Sequence, residues 1–234
     1  MYLIDYKLFY SFLLILTIFY PLLYSFNFKF KFYKNWANLF IGIFFMSLIF
    51  ISWDIYFTKM KIWTFNDKFT LGYEFLNLPI EEWLFFLIIP YSCVFIYESV
   101  KFFINHQFSE KFIFFTTIIL IIFLSVLFII FREKLYTKFC FLITIISLVT
   151  TISLKKEILS NFYISYLFSL IPFTIINGFL TGSFSSEPIV TYNSNELIGI
   201  RFLNIPFEDF FYSMSMLIIV ILVYEMKLIK NNNF

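Results

Sequence analysis

Charge is scarce in this sequence. Of its 234 residues, 14% are Asp, Glu, Lys or Arg and 61% are hydrophobic, whereas soluble domains carry about 25% charged residues. The balance points to lipid, and a net charge of +2 excludes the basic field that a nucleic-acid partner requires. Histidine occurs once, at His106 in a short solvated loop, which excludes a His-box di-iron enzyme and a His-based zinc protease. The two cysteines, Cys93 and Cys140, lie inside apolar runs without a C-x-x-C; they read as buried, inert thiols. The five glycines are scattered and form no G-x-G-x-x-G, so no dinucleotide site is visible and no cofactor site is evident. There is no D-D-x-x-D, which argues against metal–diphosphate prenyl chemistry. No lysine lies in the middle of the last apolar run, which argues against a retinal Schiff base.

What is abundant is apolar length. A membrane-crossing helix needs roughly 20 mostly apolar residues, and seven stretches qualify, at about 6–25, 37–57, 80–99, 112–131, 136–154, 161–180 and 207–226. The first is too long for a signal-peptide core and lacks a small-residue cleavage site, so it reads as a retained span. The expectation is an all-α membrane protein of about seven helices. Lys and Arg divide almost evenly between the two sides, so the positive-inside rule does not choose an orientation.

The two longest connections, about 58–79 and 181–206 by the span limits above, align with each other at an offset of 127 together with the helices they feed. Asn66, Gly72, Phe75, Leu76, Asn77, Pro79, Glu81, Tyr97 and Glu98 meet identical residues in the second copy. Chance matches Leu and Ile between apolar helices, but not Asn, Gly, Pro and Glu, so this is an internal duplication. The expected organisation is a first three-helix repeat (1–105), one linker helix (106–133) and a second three-helix repeat (134–234). An extra single span between three-span units restores the orientation, so the repeats are expected to be parallel, about an axis along the membrane normal.

Each copy presents a pair of acids at a helix entrance: Glu81 and Glu82 in "PIEE", Glu208 and Asp209 in "PFED". Pro79 and Pro206 suit the first helical turn. One acid can complement the helix dipole, but adjacent residues point about 100° apart on a helix, so one cap cannot use both. Ionisable groups at membrane depth are costly and functional. An apolar setting and neighbouring carboxylates both favour the protonated carboxyl, so the four acids are expected to converge as proton donors and acceptors. Tyr212 and Ser213, four residues after Glu208 and Asp209, are within helical reach as hydrogen-bond donors to them. Asp54 and Asn177 near the ends of their spans, together with Asn77 and Asn204 beside the motifs, are candidate supporting polar groups. Glu98 and Glu225 read as anchors at the opposite interface.

These residues resemble the membrane-integral lycopene cyclases, which occur as bacterial heterodimers, single archaeal chains and one half of fungal fusions. The resemblance is carried by P-x-E-[ED] in each of two halves and by "WD" (53–54), "IWTFN" (62–66), "NGFLTG" (177–182), "PIVTYN" (188–193) and "GIRFLNIPFEDFFY" (199–212). It implies an enzyme of the cell membrane that converts linear lycopene ends to β-ionone rings by proton-initiated, non-redox cyclisation. Glu81, Glu82, Glu208 and Asp209 would be the acid and base, and Trp63, Trp83 and Phe210 cation-stabilising aromatics. The implied partners are a lipid-dissolved carotenoid, membrane lipid and other carotenoid-pathway enzymes; a flavin requirement stays open. Rival readings are a proton-coupled small-solute transporter with parallel 3+1+3 helices and an ε-type or C50 carotenoid cyclase subunit.

Overall fold

The structure, a computed structural model, describes residues 6–104 and 108–232, with side chains to 228; His106 lies outside the described residues. Seven α-helices are present among them: α1 (Phe9–Tyr24), α2 (Trp36–Lys59), α3 (Ile80–Phe103), α4 (Glu110–Ile130), α5 (Leu135–Lys155), α6 (Leu159–Leu180) and α7 (Phe207–Asn232). Among the described residues six stretches are long and apolar enough to cross a membrane, and the longest, Leu135–Leu180, has 46 residues and contains both α5 and α6. As one rod it would measure about 69 Å, more than twice the hydrocarbon thickness of a bilayer. Instead the helix breaks at Lys155 (φ −156°, ψ 53°) and the chain turns back. The chain is an all-α membrane protein.

Hydrogen bonds between helices fix their directions. The start of α1 meets the start of α3 through Tyr10 and Glu82, and further along Ser92 donates to the carbonyl of Thr17, so these two helices run the same way. The start of α5 meets the start of α7 through Tyr136 and Asp209, and Thr144 donates to the carbonyl of Phe211. At the opposite end Lys156 reaches Glu110 at the entrance of α4. Four helices therefore begin at one end of the bundle, and α2, α4 and α6 finish there. The most enclosed helix is α7. It packs so closely on α2 that a Cβ added at Gly42 would stand 2.7 Å from the carbonyl oxygen of Val220.

The motif end is covered by short strands. β1 (Trp63–Phe65) pairs antiparallel with β4 (Val190–Tyr192), with Thr64 opposite Thr191. Thr64 and Thr191 are the same position of the repeat, so this pairing sets a local two-fold axis between the two connections. Each connection then makes a hairpin, β2 (Glu74–Phe75) with β3 (Leu78–Pro79) and β5 (Arg201–Phe202) with β6 (Ile205–Pro206). Both central residues of each turn have positive φ: Leu76 and Asn77 at 54° and 63°, Leu203 and Asn204 at 48° and 59°. That is the geometry a two-residue hairpin requires. Asn tolerates it, while Leu adopts it under strain. The identical Leu-Asn dipeptides are thus explained by the turn. Asn77 and Asn204 are exposed and stand at hairpin tips, away from the acids. Pro79 is the N-cap of α3, one place before the expected first turn, because β3 holds its backbone extended.

Candidate functional site

A helix of about 3.6 residues per turn sends neighbouring side chains in different directions, and here that separates the two acids of each motif. Glu81 is fully buried. Its Oε1 accepts from the backbone N–H of Leu71 at 2.8 Å and from the Ser11 hydroxyl at 3.2 Å. Glu208, also fully buried, repeats the arrangement: Oε1 accepts from the Ile198 N–H at 2.7 Å and the Thr137 hydroxyl at 2.5 Å. Each first acid ties the loop before its hairpin, and the first helix of its repeat, to the motif helix. They do not cap their own helices, and they turn away from the cavity described next.

The second acids face a shared space. A cavity of about 430 Å³ is lined by Glu82, Asp209, Asp54, Asn177, Trp63 and Tyr212 at its motif end and by mostly apolar side chains elsewhere, with Thr17, Ser92 and Ser169 among them. The Tyr10 hydroxyl donates to Glu82 Oε2 at 2.7 Å. Asp209 receives two phenols, Tyr136 on Oδ1 at 2.5 Å and Tyr192 on Oδ2 at 2.9 Å. Burial first, and then the charge of Asp209, push the Tyr192 phenol well above its ordinary range, so it remains a donor. The Arg201 guanidinium lies 5.8 Å from the centroid of the Tyr192 ring. Asp54 accepts from the Trp63 indole N–H at 2.6 Å and from the Thr58 hydroxyl at 3.4 Å, and its Oδ2 is buried without a partner.

Several expected contacts are replaced by others. The Tyr212 ring lines the cavity and packs on Phe50 and Trp53, while the Ser213 hydroxyl bonds the carbonyl of Phe210 one turn back. The side-chain donors to the motif acids come instead from α1, α5 and β4, because those elements cross the motif helices at the right depth. Trp83 donates to the Phe75 carbonyl and braces its hairpin; Phe210 packs against Phe173. Neither lines the cavity. Glu98 and Glu225 meet at the far end of α3 and α7, where both bind Lys101 at 2.9 and 2.7 Å and Tyr97 donates to Glu225. Both cysteines are unpaired, Cys93 in the cavity wall and Cys140 buried.

Sequence reasoning missed Tyr10, Ser11, Tyr136, Thr137 and Tyr192. A signal existed: Tyr10-Ser11 and Tyr136-Thr137 are the same kind of dipeptide, each at the start of the first helix of a repeat. Their separation is 126, one less than the offset of the motifs, so a gapless alignment passes over them.

Chemically, the arrangement places two hydrogen-bonded carboxyls from different repeats, and a third from α2, around one end of an apolar space. Among the described residues no three His, Cys, Asp or Glu side chains are grouped to hold a metal ion. Such a space suits proton exchange with a hydrocarbon. No curated protein matches the chain, and no solved structure matches it either. The profile of the lycopene cyclase family matches it twice, over residues 7–100 and 133–227. These segments carry both hairpins, the entrances of both motif helices and every acid of the cavity, and leave the whole of α4 between them. By this match the chain belongs to the lycopene cyclase family.

Proposed function

We propose that this chain is a lycopene cyclase of the cell membrane that closes the open ends of a linear, bilayer-dissolved carotenoid into β-ionone rings, as an intramolecular, non-redox isomerisation. The observation that carries the reading is the joint presence of Glu82 and Asp209, one from each motif, in the wall of one mostly apolar cavity. The cavity runs along α3 from Glu82 to Ile96, about 21 Å at 1.5 Å per residue. Exposed Leu16 and Tyr20 of α1 and Ile175 of α6 border it, so its mouth faces the lipid from which such a substrate would come.

A carboxylic acid adds its proton to the terminal double bond, and the tertiary cation so formed is attacked by the next double bond, closing a six-membered ring. A base then removes a ring proton and restores neutrality, so atoms and electrons balance without a co-reactant. Glu82, with a single phenol on one oxygen, is the donor side. Asp209, with both oxygens accepting phenolic hydrogens, is the acceptor side, since two such bonds favour a carboxylate. Trp63 presents an aromatic wall near the developing cation. Water is unwelcome here because it would trap the cation as an alcohol.

The test is expression in a bacterium that accumulates lycopene, followed by pigment extraction. Monocyclic or bicyclic carotenoids are expected. Unchanged lycopene, with the protein present in the membrane fraction, would overturn the proposal.

A further inference from the structure

A two-fold repeat should produce two equivalent grooves: one between the first helix of repeat one and the second helix of repeat two, and its twin with the roles exchanged. The first is the cavity between α1 and α6. The twin would lie between α5 and α2, and it is filled.

The filling can be read position by position. Asp54 and Asn177 each precede, by four residues, a threonine near the end of its helix, Thr58 and Thr181. In that register Trp53 corresponds to Ile176, and Phe57 to Leu180. On the α6 side, Ile176 and Leu180 line the open cavity. On the α2 side, Trp53 and Phe57 close the space. Trp53 meets the Tyr212 ring at 5.2 Å and Phe139 of α5 at 6.2 Å, and Phe57 meets Phe139 at 5.6 Å. Phe57 is fully buried and Trp53 nearly so. Gly42 adds to the closure by letting α2 approach α7. Two aromatic-for-aliphatic differences therefore separate a groove from a plug. Asp209, the acid that would have served the twin, lines instead the same open cavity as Glu82.

Resting on the cyclase reading above, we propose that the protein has one working groove, and that a two-ended polyene is cyclised one end at a time, leaving the groove and re-entering reversed between the two closures. A conjugated chain is stiff. When one end stands at Glu82 and Asp209, the other projects along the groove toward its mouth and cannot fold back to the same carboxyls. With the twin plugged, no second set of acids waits for it. The singly cyclised molecule is then a free intermediate, exchangeable with the bilayer pool.

The experiment uses the full chain in lipid vesicles loaded with isotopically labelled lycopene. When the monocyclic product peaks, about a tenfold excess of unlabelled monocyclic carotenoid is added. By mass action the label entering the bicyclic product should then fall about tenfold. Exclusively monocyclic product would overturn the re-entry step, since the proposal requires the singly cyclised molecule to return reversed. Bicyclic product that keeps its full label would overturn it. Absence of any ring in the unchased reaction sinks the cyclase reading instead, so the two failures are distinguishable. A second arm places in the open groove the residue the twin carries: Ile176→Trp should lose ring formation while the protein keeps its membrane insertion and elution profile. A fully active Ile176→Trp variant would show that the groove between α1 and α6 is not the working one.

Discussion

The regions 79–82 and 206–209 share sequence, hairpin and helix entrance, yet the division that matters runs within each. Glu81 and Glu208 hold loops and neighbouring helices in place; Glu82 and Asp209 face the cavity. The repeats also differ from each other at the second acid. Glu82 accepts from one phenol, while Asp209 accepts from two, one of them under Arg201. Duplication thus supplied one scaffold twice, and under the proposed mechanism the second acid of one copy releases a proton and that of the other receives one.

The sharpest way to break this comparison is amide substitution at all four acids. Gln and Asn keep the acceptor oxygen and lose the exchangeable proton. Glu82→Gln and Asp209→Asn should each lower the cyclisation rate by about 10²- to 10⁴-fold, the usual worth of a positioned acid or base, with folding unchanged. Glu81→Gln and Glu208→Gln should remain active, because each first acid uses a single acceptor oxygen and its second oxygen is buried without a partner. Their alanine variants, which strand the Leu71 or Ile198 N–H, should cost about 1–3 kcal/mol of stability, read as a lower melting temperature in detergent. If Glu81→Gln proved as inactive as Glu82→Gln, the proposed division of labour would be wrong.

How much of this was legible before the fold was known follows from range. The apolar runs show the helices, since span length is set by the bilayer and not by tertiary contacts. The gapless 127-residue offset shows the paired motifs. Which acid of a pair faces the cavity depends on the helix phase set by hairpins whose turns run through positive φ at Leu76 and Leu203, a conformation Leu does not advertise. Tyr10 and Tyr136 were hidden by a one-residue slip between alignments of the first and third helices, and Tyr192 because Phe65 holds its matching position. Trp53 against Ile176 was invisible for another reason: both are simply apolar in sequence, and only packing shows that one fills a space the other leaves open.

The tyrosines give the next effect in size. A hydrogen bond to a charged group is worth about 1.5–3 kcal/mol, so Tyr136→Phe and Tyr192→Phe should each slow cyclisation by about 10- to 100-fold. The double variant should approach Asp209→Asn. Tyr10→Phe should cost less, because Glu82 in its donating form loses only a neutral hydrogen bond. Single-turnover rates in vesicles, which separate the chemical step from carotenoid release, would check the order. A Tyr10→Phe effect larger than that of Tyr192→Phe would reverse the assignment of donor and acceptor.

The smallest effects test whether the cavity, and not aromatic richness in general, matters. Trp63→Leu removes both the indole N–H on Asp54 and a cavity wall. It should slow the reaction by about tenfold, given that cation–π contacts alone contribute about 0.5–2 kcal/mol. Trp83→Leu removes a brace to the Phe75 carbonyl outside the cavity. It should change the rate by less than about twofold and lower stability by about 1 kcal/mol at most. Because both tryptophans stand at the motif end and each donates one indole hydrogen bond, a loss due to removing an indole there would appear in both; a rate defect confined to Trp63→Leu isolates the wall of the cavity as its cause.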